Sequence, residues 1–167
     1  MGAEASATIL LPDVAATEEF GRRVARMCAA GDLIVLSGEL GAGKTTFVRG
    51  LGDALGVRAP VTSPTFVIAR HHPAVDEHRP HALDLVHVDA YRVETAQQID
   101  DLDLLDCVDE AVTVVEWGEG KVEHLSDSRL HIKFREDDAT PDARIATVRG
   151  VGPRWTSVKI DHLMWPD

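Results

Sequence analysis

Gly38-Glu39-Leu40-Gly41-Ala42-Gly43-Lys44-Thr45 carries the spacing G-x-x-x-x-G-K-[ST]. Triphosphate oxygens need several donors converging on a small volume. Glycines let a backbone curl until successive N–H groups point inward as a nest. A helix opening near Lys44 would add its N-terminal partial charge, and Thr46 lies in the same first turn. Lys44 is placed to reach β- and γ-phosphates, and the Thr45 hydroxyl to ligate magnesium. Lys44 is also one of four lysines in an arginine-rich chain, so it is no product of abundant lysine. The loop therefore predicts a nucleoside triphosphate, ATP with Mg2+ as the expected pair.

Such a site needs a carboxylate at the end of a neighbouring apolar strand to hold the magnesium shell. Leu85-Val86-His87-Val88-Asp89 ends in one, and Val112-Thr113-Val114-Val115-Glu116 in another. Either acid could serve the metal while the other positions water. Thr62-Ser63-Pro64-Thr65 follows the loop and its helix. GTPases place a switch threonine similarly, and Thr65 could do the same; a proline turn with hydroxyl residues is the equal alternative. A guanine-reading Asn-Lys-x-Asp motif is impossible without asparagine, which favours adenine. His71, His72, His78 and His81 form a polar loop that reads either as a metal site or, more ordinarily, as a solvated segment. Cys28 and Cys107 are too few for a disulfide framework or structural zinc and read as core residues.

The elements that must position these groups follow from pattern. Thr17 is expected to cap a helix over Glu18 to Ala29, with Glu18 and Glu19 in its first turn and Phe20, Val24 and Met27 facing the core. Leu33 to Leu36 reads as a buried strand leading into the loop. Thr45 to Leu55 reads as a helix ended by Gly56. Phe66 to Ala69 and Leu85 to Tyr91 are strand candidates, with a polar loop from Arg70 to Leu83 between them. Gln97 to Val108 is expected to be helical and Val112 to Val115 a buried strand. Leu130 to Phe134 and Arg144 to Arg149 suggest antiparallel strands, and Ser157 to Leu163 a last one. The fold class is α/β: a mixed parallel and antiparallel sheet flanked by helices, of the P-loop NTPase kind.

At 167 residues the chain suits one domain, residues 1–167, and can bury a sizeable core. With 44% hydrophobic and 27% charged residues it falls among ordinary globular proteins. No apolar run approaches a membrane span, and Met1 to Leu11 lacks the marks of a signal peptide, so a cytoplasmic protein is the default. A net charge of −11 disfavours sequence-independent nucleic-acid binding by the surface as a whole. Arg22, Arg23 and Arg26 lie close together and read first as a solvated helix face rather than a basic patch.

Four blocks together resemble the TsaE family (also called YjeE), the bacterial ATPase of tRNA threonylcarbamoyladenosine synthesis. They are Leu40-Gly41-Ala42-Gly43-Lys44-Thr45-Thr46-Phe47 with Arg49 and Gly50; Ser63-Pro64-Thr65-Phe66; His87-Val88-Asp89-Ala90-Tyr91-Arg92; and Val115-Glu116-Trp117. The third and fourth are the specific ones, and the match runs from Pro12 to about Trp117. The resemblance implies a small P-loop fold with a mixed seven-stranded sheet. It implies ATP and magnesium, with Thr45 and Glu116 on the metal, Asp89 close by, and Thr65 in a switch-like loop. It puts the chain entering the first helix, Val14 to Thr17, near the adenine. It also implies a partner, a TsaB–TsaD-like complex that carries the chemistry of group transfer, with tRNA reached only through that complex and no membrane. A small-molecule P-loop kinase is the alternative, with Arg70 and Arg79 as the residues available for a lid.

Overall fold

The computed structural model describes residues 4–39, 41–57, 69–75, 78, 82–100 and 108–156. Leu40, the Thr62 to Thr65 turn, Phe66 to Ile68, Arg79, His81, Cys107 and the tail from Ser157 lie outside the described residues.

β1 (Glu4–Leu11) leads through Asp13 into α1 (Val14–Met27). β2 (Leu33–Ser37) precedes the glycine-rich loop and α2 (Lys44–Leu55). β3 (Ala69–His72), β4 (Asp84–Asp89), α3 (Ala96–Asp100) and β5 (Ala111–Glu116) follow. β6 (Arg129–Asp137) and β7 (Thr140–Val151) form a long hairpin, closed by the single turn α4 (Pro153–Thr156). The strands make one sheet of seven in the order β1-β7-β6-β2-β5-β4-β3. β2 runs parallel to both β5 and β6, and β4 parallel to β5. β7 is antiparallel to both β1 and β6, and β3 is antiparallel to β4. The mixed sheet expected from the sequence is therefore present. No helix among the described residues is long and apolar enough to cross a membrane.

β2 and β5 are buried along nearly their whole length, as continuous apolar runs in a parallel sheet must be. One face packs on α1 and α2 through Phe20, Val24, Phe47, Leu51, Leu55, Ile34, Leu36 and Ile132. Phe20, Phe47 and Phe134 meet with ring centroids 5.4–6.3 Å apart and floor the loop. The other face packs Leu33, Val35, Val86, Val88 and Val115 beneath Ile99 and Val122. α1 and α2 cross where two glycines meet backbone: a Cβ on Gly21 would strike the Phe47 carbonyl, and one on Gly50 the Glu18 carbonyl.

Several local expectations change. α1 starts at Val14, not Glu18, because Asp13 rather than Thr17 caps it: the Asp13 carboxylate accepts from Ala16 N at 2.8 Å. Thr17 is buried inside the helix, and Glu18 and Glu19 fall beyond its first turn. Those two acids and Asp53 instead pair with Arg22, Arg23 and Arg26, which makes that face a mixed one. The polar stretch from Arg70 is not all loop. Ala69–His72 is the edge strand β3, where polar side chains cost little because water covers one side. His71 bonds Asp84 at 2.9 Å, and no group of three or more His, Cys, Asp or Glu among the described residues could hold a metal ion. α3 begins one residue before the expected helix, which is described as α-helix only to Asp100; Val108 lies in a short 3-10 turn. β1 was not expected, although Ala5, Ala7, Ile9 and Leu11 alternate inward along it. Burial, with Asp32 beside it, pushes the Cys28 thiol far above its ordinary range, so it stays protonated, as a core cysteine would.

Candidate functional site

The loop leaves β2 at Gly38 and closes on α2 at Lys44. Gly38 and Gly43 have φ of 139° and 112°, values that side chains resist, and a Cβ on Gly38 would press on the Phe134 carbonyl. No side chain caps α2, which leaves the first N–H groups of the helix for an anion. Arg144, from β7, braces the loop from outside. Its Nε and Nη2 donate to Gly41 O at 3.4 and 3.2 Å, while Nη1 donates to the Pro141 and Ala143 carbonyls. Sequence reading missed Arg144, because nothing local marks a residue whose partner lies 103 positions away.

Lys44 is 5% exposed. Its Nζ donates to Gly38 O at 2.6 Å and lies 3.7 Å from the centre of the Trp117 ring. Loss of water lowers its pKa below the ordinary lysine value, while Glu116, Asp89 and Glu39 pull it back up. The ammonium is thus sheltered, close to two carboxylates.

Those carboxylates sit side by side. Asp89 and Glu116 are register partners at the C-terminal ends of the parallel strands β4 and β5, next to the end of β2 that feeds the loop. Ligands of open α/β sheets bind at this edge. Glu116 is buried and accepts a 2.6 Å hydrogen bond from His87 Nε2; His87 is fully buried, and its Nδ1 has no partner among the described residues. Sequence reading placed His87 in a motif but gave it no role. Asp89 accepts from Tyr91 N at 2.9 Å, so its own turn orients it. Trp117 follows Glu116 with φ of 62°, a left-handed conformation that costs a bulky residue about 1–2 kcal/mol. It is held there by its N–H to Leu36 O, by Lys44 and by Tyr91, whose ring lies 5.2 Å away edge-on.

Two carboxylates and the Thr45 hydroxyl on the first turn of α2 are hard oxygen donors, the chemistry that suits magnesium. They fall short of a protein-only cation cage, so phosphate oxygens and water would have to complete the shell. Gly41, Ala42, Gly43, Lys44, Thr45 and Thr46 are brought together with Asp89 and Glu116; Leu40 and Thr65 lie outside the described residues. Of the residues expected near a base, Thr17 lies against the loop, its methyl 3.6 Å from where a Gly43 Cβ would stand. Val14 is the exposed first residue of α1.

The profile of the family described as threonylcarbamoyl adenosine biosynthesis protein TsaE matches residues 11–145. The chain belongs to the TsaE family. The matched span runs from the end of β1 into β7 and takes in every candidate residue above. The tRNA threonylcarbamoyladenosine biosynthesis protein TsaE of Streptomyces coelicolor is 51% identical over 148 residues, 87% of this chain and 97% of that protein. The protein of that name from Mycobacterium tuberculosis is 43% identical over 152 residues, 87% and 88% of the two chains. The one from Bacillus subtilis is 36% identical over 140 residues, 83% and 82%. Among solved structures, Bacillus subtilis YdiB superposes with a TM-score of 0.70 at 27% identity, over 94% of this chain and 92% of that one. The fold is that of a P-loop NTPase, and the nucleotide reading of the loop fits this TsaE chain.

Proposed function

We propose that this chain binds ATP with magnesium at the Gly38 to Thr45 loop, hydrolyses it, and so serves tRNA threonylcarbamoyladenosine biosynthesis. In this reading it is a cytoplasmic protein that acts on a TsaB–TsaD-like complex, leaves group transfer to that complex, and meets tRNA through it. The observation that carries the reading is the register pairing of Asp89 with Glu116 beside the buried Lys44.

Lys44 leaves Gly38 O and the Trp117 ring to neutralise β- and γ-phosphate charge, and the α2 N–H groups orient the same oxygens. Thr45 and Glu116 would hold the magnesium. Bound magnesium supplies neutralisation of the charge that builds on the phosphate oxygens. Asp89, the register partner of Glu116, would share in the metal shell or orient the attacking water. Thr65 belongs to the switch segment, and Trp117, touching Lys44, changes surroundings when Lys44 moves. The partner complex reads that change and is reset. The test is the ATPase rate of the purified chain with and without TsaB–TsaD, alongside Glu116→Ala. Stimulation that vanishes in Glu116→Ala supports the reading, and a rate indifferent to both would refute it. Transfer of labelled phosphate to a metabolite, at a rate matching nucleotide loss, would mark a kinase instead.

A further inference from the structure

β6 carries a second pattern, which the nucleotide site does not use. Leu130, Ile132 and Phe134 point into the core under α1 and α2, so the alternate residues Arg129, His131, Lys133 and Arg135 share the opposite face. Every one of them is basic or imidazole. Pairing with β7 and β1 extends that face into rows: Lys133 lies beside Thr147 and Thr8, Arg135 beside Ile145 and Leu10. The row at His131 adds Arg149 and Ser6. The second core cluster covers this side of the sheet over β2, β4 and β5 but supplies no residue from β6, β7 or β1. Lys133, Arg135, Thr147, Thr8 and Ser6 are exposed.

Acids outnumber bases 28 to 17 in this chain, so most surface cations should find a carboxylate. Arg22 does, with Glu18, Glu19 and Asp53. Among the described residues, the side chains of Lys133 and Arg135 make no ion pair or hydrogen bond. Glu119 and Glu123 act on His131, at the other end of the strip, and Arg129 is fixed there by the Glu123 and Ser126 carbonyls.

We propose that the open face of β6, β7 and β1 is a docking surface for the phosphate backbone of an RNA. Cations two residues apart on a strand stand about 6.8 Å from one another, in line, and hydroxyls flank them. Lysine, arginine, serine and threonine are the side chains that contact phosphate. Among the described residues of this face the one ring is the buried imidazole of His131, which leaves the exposed cations to hold a backbone rather than read bases. Among the described residues the face also lacks the Trp and Tyr anchors of a protein docking site, its apolar residues being Leu10 and Ile145 in one row and Val151 beside Arg129 in another. The net charge of −11 does not oppose this at close range, because repulsion from the far side is screened within about 8 Å at physiological salt. The nature of the RNA, a tRNA, rests on the proposed function, in which the partner complex brings tRNA to this chain; direct contact with its phosphates goes beyond that reading.

The experiment is fluorescence anisotropy of labelled tRNA with the full chain, from 50 to 200 mM salt, with polyglutamate of equal length in a second arm. Contacts from Lys133 and Arg135 should make tRNA binding about 12-fold weaker across that range. Lys133→Glu with Arg135→Glu should abolish most of the affinity and reduce the log–log salt slope by about 1.8. ATP affinity measured on the same variant reports that the fold and loop are intact. Conversely, Lys44→Ala should lose ATP and keep tRNA, which separates failure of this face from failure of the nucleotide reading. Absence of tRNA binding at 50 mM salt would overturn the proposal. So would a double variant that binds as the parent does, or polyglutamate binding as tightly as tRNA, the signature of an acidic protein partner.

Discussion

Replacing His87 with leucine tests how the candidate metal acid is held. The imidazole and the Glu116 carboxylate are 2.6 Å apart, with His87 0% and Glu116 4% exposed. Leucine keeps most of the volume and removes the donor. A buried carboxylate then loses a charge-assisted hydrogen bond, and breaking a buried pair from one side costs about 3–5 kcal/mol. Glu116 also interacts with Lys44, which recovers part of that cost, so the lower end, about 3 kcal/mol, is expected. Urea denaturation of His87→Leu should show this as a lower midpoint at an unchanged slope. A second effect follows if Glu116 serves magnesium. Groups that orient a metal-binding side chain are worth about 10–100-fold in metal affinity. The magnesium concentration needed for half-maximal ATP binding should rise by that factor, while ATP affinity without magnesium stays put. His87→Gln, which retains an N–H donor, should recover both. A leucine variant with the parent's stability and magnesium dependence would refute the view that His87 holds Glu116.

Lys44→Ala should weaken ATP binding roughly 10- to 150-fold in equilibrium dialysis, the worth of one charged hydrogen bond of about 1.5–3 kcal/mol. Its melting temperature without nucleotide should barely change, because burial already disfavours the Lys44 charge. Gly50→Ala should destabilise the fold. Alanine's helix propensity returns about 1 kcal/mol, but the Glu18 carbonyl cannot swing aside, and overpacking costs about 1–3 kcal/mol or more, so the urea midpoint should fall. Burial first, then Arg149 and Arg129, lowers the His131 pKa, so between its folded pKa and about 6.5 the unfolded chain binds a proton that the folded chain does not. Stability should therefore rise with pH through that window and be lost below it, and His131→Gln should flatten the slope in denaturation curves taken from pH 5 to 7.

The legible parts of the fold were those with strong local causes. Apolar runs marked β2, β4 and β5, and Gly56 marked the end of α2. The start of α1 was misplaced because two capping side chains, Asp13 and Thr17, lie four residues apart. Only the hydrogen bond from Ala16 N distinguishes them. Arg70 to His72 of β3 were read as loop because they are polar, and polarity in an edge strand is decided by what covers it. β1 was overlooked because small residues weaken its alternation.

By itself the sequence determined the chemistry available: a glycine-rich phosphate loop with its lysine and threonine, two strand-end acids, and a composition with no asparagine for reading guanine. Those are properties of residue type and short spacing, which local backbone physics translates directly. The tertiary structure decided which groups meet. It set Asp89 against Glu116 by the register of β4 on β5, brought His87 to Glu116 across 29 positions, and carried Arg144 to Gly41 across 103. It also gathered the alternate residues of β6 on a face that no helix among the described residues covers. Pairing register and layer order depend on the whole sheet closing at once, and no short window of sequence contains them.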